Sequence, residues 1–157
     1  MMIFTSYFDS LVAAILAEHL GSGGFSGPLY NLNLALLSAG IQLAPDTPWG
    51  QLTEANYSGY ARAPGVTWGV PILQGDGTYS ILSALETFVA SAQSAFEGNI
   101  VYGYALIDGA NPPNIALFEM LDQPIPIQAP GDGFGIVLAV NFGANNGNSY
   151  SQTIAAT

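Results

Sequence analysis

The sequence predicts a mainly β protein, an antiparallel jelly-roll-like sandwich with a short N-terminal helix. Three observations predict it. Short stretches rich in Val, Ile, Tyr and Phe recur along the 157 residues, and such stretches favour a pleated, half-buried backbone. They are broken at Gly75-Asp76-Gly77, Gly98-Asn99, Asp108-Gly109, Pro112-Pro113 and Gly131-Asp132-Gly133. Turn signals at such short intervals are the pattern of sandwiches and jelly rolls. Apolar residues keep a convincing helical spacing only near the start.

That first element is an amphipathic helix in expectation. Phe8, Leu11, Val12, Ile15, Leu16 and His19 recur every three or four residues and form one apolar stripe. Ser6 is placed to cap it, Asp9 to reach back and favour its positive end, and Gly21 to stop it. Gly21 to Pro28, GSGGFSGP, has the composition of a flexible linker. Residues 1–28 therefore read as an assembly arm, whose helix either docks on the body or grips a neighbour.

Residues 29–143 read as the β domain. Leu29 to Leu37 alternates weakly and fits a strand, although Leu34 to Leu37 also fits a helix. Ala44 to Ala61 is extended and turn-rich, with Pro45 and Pro48. Strands are expected at Val66 to Leu73, Thr78 to Ala90, Asn99 to Asp108, Asn114 to Leu121 and Phe134 to Phe142. The alanines between Thr78 and Phe96 would tolerate helix as well. Residues 144–157 form a small polar tail, loose or laid along a neighbour.

Composition narrows the function. Charged residues make up 8% of the chain, against about 25% in an average soluble domain. Arg62 is the one Lys or Arg, and the net charge is -10. Nucleic acid and anionic membrane surfaces repel such a chain. There is no cysteine, which removes disulfides, zinc-thiolate sites and thiol nucleophiles together. The opening stretch lacks the positive flank of a secretory signal, and no run reaches the ~20 apolar residues of a membrane span. The chain reads as made in the cytosol. With few ions to coat it, its exterior is expected to be shared with partners.

Catalysis is poorly supplied. A Ser-His-Asp scheme would have to use His19, which lies on the apolar stripe, and no lysine exists for a Schiff base. Glu54, Glu86 and Glu119 are the carboxylates a glycosidase pair would draw on, and scattered carboxylates more often solubilise a surface. Asp76, Asp108 and Asp132 sit beside glycines, where calcium ligands occur, but Asp-Gly is foremost a turn signal. Asn56-Tyr57-Ser58 matches a glycosylation acceptor without a secretion signal to use it. No enzyme, cofactor or metal is expected.

Arg62 can hold a carboxylate bidentately, within the chain or across an interface, although beside Pro64 it reads by default as an exposed loop arginine worth little. Tyr57 and Tyr60 flank Gly59, which lets the chain bend or another backbone approach, and Thr53 fits the cap of a single helical turn through Glu54 and Ala55. Strict alternation puts Tyr102 and Tyr104 on one sheet face, opposite Val101, Gly103 and Ala105. Such a tyrosine face is either an interface surface or the rim of a core. These tyrosines, Arg62 and the helix stripe are the candidate interface residues.

Three blocks carry a resemblance. They are Leu29-Tyr30-Asn31 with Leu52-Thr53-Glu54-Ala55-Asn56-Tyr57-Ser58-Gly59-Tyr60-Ala61 downstream, Val101-Tyr102-Gly103-Tyr104 with Asp108, and Ala129-Pro130-Gly131-Asp132 before Phe134. Together they resemble capsid decoration, cement or head-fibre proteins of tailed bacteriophages. The resemblance implies a jelly-roll-like trimer on the capsid exterior of the virion, with the major capsid protein as partner. The apolar run Leu34 to Leu43 and the added helix and linker depart from that pattern. A carbohydrate- or receptor-binding head module is the alternative, with Trp49, Trp68 or Tyr79 stacking on sugar rings.

Overall fold

The structure, a computed structural model, describes residues 2–4, 32–39, 44, 47–69, 72–75, 79–91, 99–142 and 153–155. Among them the chain is mainly β, and every strand pair is antiparallel. The strands are β1 (Met2–Phe4), β2 (Asn33–Leu37), β3 (Ile72–Leu73), β4 (Tyr79–Leu82), β5 (Glu86–Val89), β6 (Ile100–Ile107), β7 (Ile115–Pro126), β8 (Gly133–Val137), β9 (Ala139–Phe142) and β10 (Thr153–Ala155). One sheet has the order β1-β7-β6-β2, a second β3-β4-β9 and a third β10-β8-β5.

All three sheets contribute to one core. Leu34 and Leu36 of β2, Tyr104 and Leu106 of β6, Ile81, Phe88, Phe134, Ile136 and Val140 are packed in it, each no more than 4% exposed. The opposite face of the four-stranded sheet is also buried, through Ala35, Leu37, Ala105, Ile107 and Phe118. A strand buried on both faces loses the apolar–polar alternation, which is why Leu34 to Leu37 reads equally as helix in sequence.

The long segment expected from Thr78 to Ala90 is two strands, and so is Phe134 to Phe142. Leu82 pairs with Ala139 in one sheet and Glu86 with Ile136 in the next. One antiparallel ribbon therefore crosses between sheets at Ser83 and Leu138. Ser83 is a buried polar residue; its N–H donates to the Leu138 carbonyl and its Oγ accepts the Leu138 N–H, both at 2.8 Å. The hydroxyl thus supplies the acceptor that the bent ladder no longer provides at this corner.

Strand β6 changes face. Val101 and Tyr104 pack in the same core, whereas Ala105 lies on the opposite face. The register explains it: Val101 pairs with Ile125 but Gly103 with Met120, so β7 bulges between them. The expectation that Tyr102 and Tyr104 share a face opposite Val101 is thereby corrected. Gly103 is required at the bulge, because a Cβ there would run into the Glu119 carbonyl.

Two aspartates hold turns. Asp108 Oδ1 accepts the N–H groups of Ala110 and Asn114, and its Oδ2 accepts Asn114 Nδ2 at 2.7 Å. Asp132 Oδ2 accepts the N–H groups of Gln128 and Ala129, both at 2.7 Å. Backbone donors on these carboxylates are the mechanism by which Asp specifies a turn.

Both terminal segments reach the sheets. Met2–Phe4 pairs with β7 through Met2 opposite Glu119 and Phe4 opposite Leu117. Thr153–Ala155 pairs with β8, so part of the expected polar tail is a strand. The expected helix, with Phe8, Leu11, Val12, Ile15, Leu16 and His19, lies outside the described residues. No helix among the described residues is long and apolar enough to cross a membrane.

Candidate functional site

The free side of β2 is where the candidate residues meet. β6 pairs with one side of β2, and residues 53–66 close the other. Ser38 N–H donates to the Thr53 carbonyl, Ala55 N–H to that of Leu36, and Leu34 exchanges two bonds with Ala63. Between Ala55 and Ala63 the chain turns away through Tyr57, Ser58, Gly59 and Tyr60, with Tyr60 N–H on the Tyr57 carbonyl at 3.0 Å. Gly59 has φ +90°, and a Cβ there would sit 2.7 Å from Ser91 Oγ. The detour leaves the Leu36 N–H without a backbone acceptor.

A side chain supplies one. Leu36 N–H donates to the Tyr60 hydroxyl at 3.1 Å, and that hydroxyl donates to Glu54 Oε1 at 2.7 Å. Glu54 in turn receives Arg62 in a two-point grip, Nε on Oε1 at 2.8 Å and Nη2 on Oε2 at 2.7 Å. The guanidinium lies over the Trp49 ring, 5.1 Å from its centroid, a favourable placement for a cation on an aromatic face. Trp49 is presented by a 3-10 turn over Trp49–Gln51 and packs against the second core cluster. The expected helical turn capped by Thr53 is absent: Glu54 is instead bridged to Leu37 in extended backbone.

Electrostatics follow from this geometry. Burial alone would raise the Glu54 carboxyl, but hydrogen bonds from Arg62 and Tyr60 and the Arg62 charge together hold it below its ordinary 4.5. Burial and the bond to Glu54 push the Tyr60 hydroxyl up. Tyr57, Tyr60, Phe88 and Phe134 continue inward as an aromatic row with successive centroids 5.5, 6.3 and 5.9 Å apart. The buried Tyr57 hydroxyl has no hydrogen-bond partner among the described residues, and burial raises it to about 12.

The structure therefore joins Tyr57, Tyr60 and Arg62, and adds Glu54, Trp49 and Leu36, which sequence reasoning did not connect. Tyr104 stands apart. It is 0% exposed, its hydroxyl donates to Glu119 Oε2 at 2.5 Å, and burial followed by that carboxylate raises it. Tyr57 and Tyr104 are thus core residues of this chain, and Tyr102 is half-buried.

The cluster is a clasp around one carboxylate, whose charge is balanced by the Arg62 guanidinium and which also accepts the Tyr60 phenol. Glu119 is engaged with Tyr104, while Glu86 lies on β5 opposite Ile136. Among the described residues no three His, Cys, Asp or Glu side chains are grouped to hold a metal ion. Trp68 is 5% exposed in the core, and one face of Trp49 carries Arg62.

Exposed apolar side chains gather elsewhere, on β3, β4 and β5 and on the link between β4 and β5. Ile72, Leu73, Leu82, Leu85 and Val89 are 47–59% exposed. Strand composition alone does not reveal which of these apolar side chains stay outside. No protein-family model, curated protein or solved structure matches the chain.

Proposed function

We propose that the chain is a structural subunit of a bacteriophage particle, a capsid decoration or cement protein that binds the capsid lattice and stabilises it. In this reading the fold is a jelly-roll-like sandwich, the N-terminal helix and linker form an attachment arm, and three copies associate on the capsid exterior. The partners are further copies and the major capsid protein. Nucleic acid and membrane are not partners, and the protein performs no catalysis.

One observation carries the reading: among the described residues five large apolar side chains stand about half exposed, and the chain's one Lys or Arg, Arg62, is paired internally. Such a surface favours contact by buried area, with neither ionic recognition nor chemistry. Interfaces of ~1,600 Å², repeated over a lattice, hold firmly even when each contact is weak. The test is to incubate the protein with capsids assembled without it and to pellet the particles. Saturable retention at a fixed ratio to the major capsid protein is expected, and a protein left entirely in the supernatant would refute the proposal.

A further inference from the structure

We draw no further inference here: the strongest candidate, the exposed apolar face formed by Ile72, Leu73, Leu82, Leu85 and Val89 along β3–β5, carries none, because Glu86 interrupts it and nothing in the structure shows what covers it.

Discussion

The hydroxyl of Tyr60 stands in for a strand carbonyl by accepting the N–H of Leu36, 24 residues away. One side chain thereby closes the gap left where residues 55–63 leave the edge of β2. It also ties the edge to Glu54, Arg62 and the aromatic row.

Tyr60→Phe keeps the ring stack but strands a part-buried N–H and removes a donor from Glu54. An unsatisfied buried polar group costs about 1–3 kcal/mol. Urea unfolding should show a loss of that order with an unchanged m-value; a loss below a few tenths would mean that the hydroxyl does not complete the edge.

Glu54 makes stability depend on acid. Its carboxyl is held below 4.5 in the folded chain, so the unfolded chain takes up the proton first as pH falls. The stabilisation is present above about pH 4.5 and is lost as pH drops through the lower folded value. Glu54→Gln should therefore be less stable than the wild type at neutral pH, with the difference shrinking below pH 4.5. Thermal melts across that range check the convergence.

Tyrosine ionisation works in the opposite direction. Tyr57, Tyr60 and Tyr104 are all raised above their ordinary 10.0 by burial. The neutral hydroxyls are favoured in the folded chain, so stability is complete below pH 10 and declines as pH rises through the folded values. Absorbance titration should show at least three of the eight tyrosines silent until Tyr57 begins to ionise near 12 or the chain unfolds. Ionisation of all eight near pH 10 in folded protein would contradict the packing.

At the corner between the smaller sheets, Ser83→Ala removes the acceptor of the buried Leu138 N–H. Destabilisation of about 1–3 kcal/mol is expected, together with faster amide exchange at Leu138. Gly59→Ala should destabilise by at least ~1 kcal/mol, since a left-handed φ disfavours a Cβ and Ser91 blocks it. Guanidinium unfolding of each variant measures both effects.

Local chemistry made part of this fold legible. β6 and the turn aspartates Asp108 and Asp132 are readable because strand composition and Asp-Gly turns act over a few residues. Gly59 was readable for the same reason. The face change in β6 was not, since it depends on three extra residues in the facing span of β7. The split at Ser83 was hidden because its partner Leu138 lies 55 residues away. The clasp was half visible: Arg62 could be a bidentate grip or simply an exposed loop arginine, and its engagement with Glu54 and Trp49 required the path of the chain around β2. Tyr57 and Tyr104 were ambiguous between rim and interface, and packing partners distant in sequence put them inside.

Pelleting of native protein with capsids assembled without it, read beside the sedimentation mass of the free protein, tests the central claim most directly. The account predicts an oligomer that binds particles saturably at a fixed subunit ratio. A monomer at high concentration that remains in the supernatant would contradict it.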